Sequence, residues 1–147
     1  MSRSSSVTAC VATLTLAQRY ALSGCATLAR HPRESFVPLA DLAAEAHAPA
    51  PFLAKLLTTL VAAGIVEGKK GHYGGYRLAR TAARITIAQV IGHFPTADSA
   101  GGKPPCTMGA RPCTPDAPCA LHHAWTAASA GLRTLVAETS LADLAAS

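Results

Sequence analysis

Apolar residues recur along this chain at steps of three and four, then of two, then of three and four again, and each change of period marks a new element. Leu14, Ala17, Tyr20, Ala21, Gly24, Cys25 and Leu28 line one face of a first helix over residues 14–30. His31-Pro32 ends it, because the residue before a proline is pushed out of helical geometry. Pro38 opens a shorter second helix with Leu39, Leu42, Ala43 and Ala46 inward, and Pro49 stops it. Pro51 stands where a first-turn proline belongs, ahead of Phe52, Leu53, Leu56, Leu57, Leu60 and Val61, and Gly64 closes this third helix. Short amphipathic helices joined by a tight turn are a helix-turn-helix.

Beyond Gly64 the period falls to two. Ile65 and Val66 read as a strand, residues 68–75 as a glycine-rich turn carrying Lys69, Lys70 and His72, and Tyr76, Arg77 and Leu78 as the returning strand. This hairpin is a wing. Thr86 then reads as the N-cap of a helix over 87–93, with Ile87, Val90 and Ile91 as its apolar face. The longest helical pattern runs over 120–138, with Leu121, Ala124, Trp125, Ala128, Leu132, Leu135 and Val136 along one side. Such a helix near the end of a small DNA-binding chain predicts a dimer seam made by Leu121, Trp125, Ala128, Leu132 and Leu135. Thr139-Ser140 breaks it, and residues 141–146 add a final turn or two.

The fold expected is mainly α: a winged helix-turn-helix with a small β-hairpin wing and a long C-terminal dimerisation helix. Its parts are an N-terminal extension (1–12), the DNA-binding domain (13–93), a cysteine-rich loop (94–118) and the dimerisation segment (119–147). No internal repeat breaks this order. The 50% hydrophobic content rests largely on alanine and leucine, with only 5% aromatic, so helices should pack through small side chains and gain from dimerisation.

The net charge of +5 is concentrated. From residue 55 to 84 the chain holds Lys55, Lys69, Lys70, Arg77, Arg80 and Arg84 against Glu67 alone, and the remaining seven basic and seven acidic residues cancel. That window coincides with the third helix and the wing. In such folds the helix enters the major groove and the basic hairpin reaches a phosphate or the minor groove, so double-stranded DNA is the expected partner. Pro51, Lys55, Lys69, Lys70, His72 and Arg77 are its expected contacts. No nucleophile with a base, carboxylate pair or phosphate-cradling loop argues for an enzyme.

A different chemistry is written into residues 101–122. Cys106 and Cys113 are separated by six residues, Cys113 and Cys119 by five, and Cys119 and His122 by two, amid Gly101, Gly102, Pro104, Pro105, Gly109, Pro112, Pro115 and Pro118. The prolines and glycines oppose regular hydrogen bonding, so something else must hold the segment. Three soft thiolates and an imidazole suit zinc or an iron-sulfur cluster, and the same thiols could work as a metal-free redox switch. Cys25, inside an apolar helical pattern, reads as a buried core residue. Arg3 and the run 7–17 have the outline of a secretory signal, but Thr8, Cys10, Thr13 and Thr15 dilute it, and no stretch of about 20 apolar residues could span a membrane. Cytoplasmic residence, with reduced thiols, is expected.

Gln18-Arg19-Tyr20-Ala21-Leu22, Leu39-Ala40-Asp41-Leu42, Phe52-Leu53-Ala54-Lys55-Leu56-Leu57, Ala63-Gly64-Ile65-Val66 and above all Gly74-Gly75-Tyr76-Arg77-Leu78-Ala79-Arg80 resemble the bacterial winged-helix regulators that include IscR and NsrR. The likeness extends to the three cysteines, to the His and Trp after them and to Leu141-Ala142-Asp143-Leu144, covering about residues 14–146. It implies a homodimeric regulator, a repressor in the first instance, that binds an inverted-repeat operator under control of an iron-sulfur cluster sensing iron, redox or nitric oxide status. His122 matches the histidine that completes a 2Fe-2S site in the IscR branch. Arg19 stands where the NsrR branch has an acidic ligand for a 4Fe-4S cluster, so the resemblance favours 2Fe-2S, held by Cys106, Cys113, Cys119 and His122. Ala54 and Lys55 replace a base-facing glutamate and glutamine, and Lys70 replaces an arginine near the wing tip, which implies a different operator.

Overall fold

The computed structural model describes residues 14–95 and 120–146. The described elements are α1 (Leu16–Arg30), α2 (Leu39–Glu45), α3 (Ala50–Ala62), β1 (Val66–Lys69), β2 (Gly75–Leu78), a 3-10 turn (Ala82–Arg84), α4 (Ile87–Ile91), α5 (His122–Glu138) and α6 (Leu141–Ala145). The described residues fall into two compact units, one of 16–94 with 137–146 and the other of 14–15, 95 and 120–136.

In the first of these, α1 lies against α2, α3, α4 and α6. Its inward face is Gln18, Ala21, Gly24, Cys25, Thr27 and Leu28, all buried. Gly24 lets α3 come close: a methyl group there would lie 3.1 Å from Leu53 Cδ1. Two of these inward residues are polar. Thr27 satisfies itself, its hydroxyl donating to the Ser23 carbonyl at 2.9 Å. Gln18 donates through Nε2 to the Ile91 carbonyl at 3.3 Å, occupying one of the acceptors that the end of α4 leaves without a helical partner.

Both helix-turn-helix helices end in the same way. At the close of α3, Gly64 N–H donates to the Val61 carbonyl and Ile65 N–H to that of Leu60, each at 3.0 Å, while Gly64 takes φ +77°. This double hydrogen bond satisfies the last carbonyls and needs a left-handed residue between its arms, which glycine supplies without strain. At the close of α2 the same pair forms from His47 N–H to Ala44 and Ala48 N–H to Ala43, with His47 at φ +52°. A side chain here carries the left-handed strain that glycine would avoid.

Between α3 and the wing the chain passes directly into β1, which pairs antiparallel with β2 in the register Val66↔Leu78, Glu67↔Arg77, Gly68↔Tyr76 and Lys69↔Gly75. Pairing continues to Lys69, so β1 begins one residue later than the pattern predicts and reaches into the expected turn. Burial explains the difference: Ile65 and Val66 are both buried, whereas residues 67–69 are exposed and leave no apolar trace of the strand. Residues before α2 tie this hairpin to the helices. Val37 N–H donates to the Tyr76 carbonyl at 2.8 Å and Tyr76 N–H to that of Val37 at 2.9 Å. The close pass requires Gly75, at φ +152°, since a Cβ there would sit 2.2 Å from the Val37 oxygen.

Helix boundaries differ modestly from the periodic reading. The first helix starts at Leu16 rather than residue 14, and the fourth stops at Ile91, followed by a turn, rather than at residue 93. Thr86 is the N-cap of α4 and forms a full capping box with Gln89. Ser140 and Asp143 repeat the device on α6, where the two hydrogen bonds from Ser140 hold the Asp143 carboxyl below its ordinary value. Leu141 N–H to Ile85 and Ile87 N–H to Thr139 then stitch the segment before α6 onto the start of α4.

In the second unit, α5 opens at His122, two residues later than predicted, so Leu121 lies in the turn just before it, and the helix carries Trp125, Ala128, Leu132 and Leu135. Leu121, Leu132 and Leu135 are 43%, 41% and 56% exposed, and Ala128 is exposed. For Trp125 only the backbone position is described.

Candidate nucleic-acid interface

The buried residues of α3, Leu53, Leu56, Leu57 and Leu60, pin one side of the helix to the core. The helical period then forces Pro51, Lys55, Thr58 and Ala62 onto the other side, and all four are exposed. Pro51 lies in the first turn, as its sequence position predicts. Thr58 bonds back to the Ala54 carbonyl at 2.9 Å, which holds its hydroxyl close to the helix and exposes the methyl group. Lys55 is thus the one cation on an otherwise small, uncharged helix face. A face without bulky side chains can approach the floor of a groove closely.

The wing carries the remaining expected contacts, and the structure separates them into two kinds. Lys70 and His72 are exposed at the turn. Lys69 and Arg77 instead share a support beside the hairpin that the sequence reading missed, the ring of Phe36. Arg77 Cζ lies 4.4 Å and Lys69 Nζ 5.5 Å from its centroid. Arg77 Nε also donates to Glu67 Oε2 at 2.7 Å, across the β1–β2 pair. Because this pair is about a third to a half exposed, solvent screens it, and it orients the guanidinium more than it stabilises the fold. The one acid in the basic window is therefore spent on Arg77, so the positive field of the wing comes mainly from its lysines.

Further basic groups gather beneath β2. A cleft of about 210 Å³ is lined by Leu28, His31, Arg33, Arg77, Arg80 and Thr81 among others. Arg33 Nη2 donates there to the Ala79 carbonyl at 3.0 Å, tying the segment after α1 to the chain leaving the wing. The sequence also understated Tyr73. At 85% exposure it is the most solvent-exposed of the large apolar side chains described, and its only signal was a bulky residue in a glycine-rich turn.

Cys106, Cys113 and Cys119 lie outside the described residues, and His122 is described only by its backbone place, as the first residue of α5. Cys10 is likewise outside. Among the described residues there is no group of three His, Cys, Asp or Glu side chains able to hold a metal. Cys25 is wholly buried, and burial pushes its thiol up to about 12, which keeps it protonated and unreactive at neutral pH. Among the described residues no helix is long and apolar enough to cross a membrane.

Helix-turn-helix, hairpin wing and a long terminal helix with an apolar stripe define a winged-helix DNA-binding regulator rather than an enzyme. The model of the Rrf2 family, described as an iron-dependent transcriptional regulator, matches residues 14–147, and the chain belongs to that family. It is 33% identical over 128 residues to an HTH-type transcriptional regulator of Aquifex aeolicus, covering 86% of each chain. It is 32% identical over 134 residues to IscR of Xenorhabdus nematophila, covering 89% of this chain and 77% of that one. Among solved structures, CymR, the global cysteine regulator of B. subtilis, superposes with a TM-score of 0.73 at 25% identity, over 91% of this chain and 96% of that one.

Proposed function

We propose that this regulator works in the cytoplasm as a homodimeric repressor on an inverted-repeat operator, switched by a 2Fe-2S cluster on Cys106, Cys113, Cys119 and His122. The DNA half of the reading is carried by one observation, that Pro51, Lys55 and Thr58 on the outer side of α3 and Lys69 and Lys70 on the wing are all exposed. Lys55 faces the major groove, and Lys69, Lys70, His72 and Arg77 meet the adjoining backbone or minor groove. A two-fold operator follows from dimerisation through Leu121, Trp125, Ala128, Leu132 and Leu135, whose described leucines leave an apolar stripe uncovered in one copy.

The donor set fits the cluster: thiolates satisfy soft iron and a neutral imidazole completes the site, and the family model that matches is described as an iron-dependent regulator. When bound, the cluster supplies a group whose oxidation state and integrity respond to iron, redox or nitric oxide. Cys25 takes no part, since its buried, protonated thiol has no access to solvent. A second reading, a thiol switch or zinc site on the same cysteines, rests on the chemistry of the thiols, which bind zinc or oxidise without iron. Anaerobic purification followed by visible absorption and iron analysis separates them. Colour with iron in proportion to protein supports the cluster, whereas colourless, iron-free protein refutes it. Cys→Ala at position 106, 113 or 119 should each abolish the colour, and His122→Cys should retain a cluster of lower potential, because a thiolate adds negative charge. His123→Ala, altering the neighbouring helix position about 100° around, should leave the spectrum unchanged.

A further inference from the structure

We propose that Tyr73 enters the minor groove beside the α3 site and reads A·T pairs there, so that this wing recognises sequence as well as phosphate. The proposal rests on the DNA-binding surface described above and assigns one of its contacts. Tyr73 occupies the extreme tip of the hairpin. Gly74 N–H donates to the Gly71 carbonyl at 3.0 Å, closing a four-residue turn in which His72 and Tyr73 are the two central residues. Both therefore project beyond the strands. The imidazole meets the phenol ring edge-on, with centroids 5.4 Å apart and planes at 82°, which narrows the directions the tyrosine can take.

A bare aromatic ring at 85% exposure loses more by facing water than most surface residues, and its neighbours point to what covers it. Lys69 and Lys70 lie in the same exposed hairpin end, so the tip is drawn to a polyanion before the ring touches anything. Size then selects the groove. The major groove, about 12 Å wide, takes α3, while the minor groove, about 6 Å wide, admits a two-residue hairpin tip but no helix. Once inside, the ring packs between the deoxyribose walls, and the phenol hydroxyl donates to adenine N3 or thymine O2. A G·C pair places an amino group at that level of the groove, which crowds the ring and keeps the hydroxyl from the N3 and O2 acceptors.

The test uses a duplex selected from a random library by the wild-type protein, with the pairs under the wing then replaced singly by G·C or by inosine·C. Inosine·C changes the major-groove edge but leaves the minor groove like that of A·T. Wild-type protein should bind the inosine·C duplex as tightly as the parent and the G·C duplex about five- to a hundredfold more weakly, the range of one base-edge contact. Tyr73→Ala should bind all of them alike at the weaker level, and Tyr73→Phe, which keeps the ring but not the hydroxyl, should keep part of the affinity and a reduced preference. Removal of tyrosine should leave the dependence of affinity on salt unchanged, whereas Lys70→Ala should lower its slope by about one. Wild-type affinity in Tyr73→Ala, equal tolerance of G·C, or a salt slope lowered by Tyr73→Ala would each overturn the proposal while leaving the DNA surface standing. A selection that returns no duplex sinks that surface, and this contact with it.

Discussion

Replacing Gly75 by alanine tests whether the wing works as a rigid extension of the helix-turn-helix. The new Cβ would lie 2.2 Å from the Val37 oxygen, 2.4 Å from its carbonyl carbon and 2.8 Å from Pro38 N, all of them backbone atoms that cannot rotate aside. The residue would also have to hold φ +152°, a region that costs a side chain about 1–3 kcal/mol. Relief is available only if Val37 withdraws from Tyr76, which breaks hydrogen bonds of 2.8 and 2.9 Å at about 0.5–1.5 kcal/mol each. The sum is roughly 2–6 kcal/mol against a total stability of about 5–15 kcal/mol. For a chain of this size that lowers the melting temperature by on the order of 10 °C. Because the helices keep their own core, circular dichroism should still show a folded protein at room temperature, while affinity for a selected duplex falls as the wing loses its anchor. Gly64→Ala is the comparator. It has open space around the new methyl but φ +77°, so it should lose about 1–2 kcal/mol without weakening DNA binding by the folded protein. If Gly75→Ala melted within a degree of wild type and bound DNA equally, the bridge between Val37 and Tyr76 would not be what holds the wing.

Three further outcomes are expected. His47→Gly should raise stability by about 1 kcal/mol in chemical denaturation, because glycine takes the left-handed position at the end of α2 without the cost a side chain bears. Leu132→Glu or Leu135→Glu should convert the proposed dimer to monomer in sedimentation, since a charge at the proposed seam would be desolvated without a partner at a cost of several kcal/mol; a variant that stays dimeric would move the seam elsewhere. Cys25 should resist alkylation in the native protein, and its burial makes stability pH-dependent. Below its ordinary value of 9.0 the thiol is neutral in both states, whereas between 9.0 and about 12 only the unfolded chain ionises, so this contribution to stability falls as pH rises. A native thiol that reacts at neutral pH as fast as a free one would contradict the burial.

Much of this architecture is local and was legible for that reason. The period of apolar residues, Pro51 in a first turn, Thr86 as a cap and Gly64 at a helix end each act through the backbone within one turn, so the residues themselves announce the element. The same locality made the exposed side of α3 readable: once Leu53, Leu56, Leu57 and Leu60 are inward, the helical repeat leaves Lys55 no other side. What the tertiary structure alone decided depends on residues distant in sequence. Gly75 is required because Val37 crosses it, and Gln18 is tolerated in the core because the end of α4 offers it a carbonyl. Arg77 is partly withdrawn from the surface because Phe36 and Glu67 reach it from other segments. Each is a contact between chain segments brought together by folding, and neither periodicity nor composition records such a meeting. The exposure of Leu132 and Leu135 belongs with them: their spacing shows an apolar stripe, but only the packed chain shows that its own core leaves them uncovered.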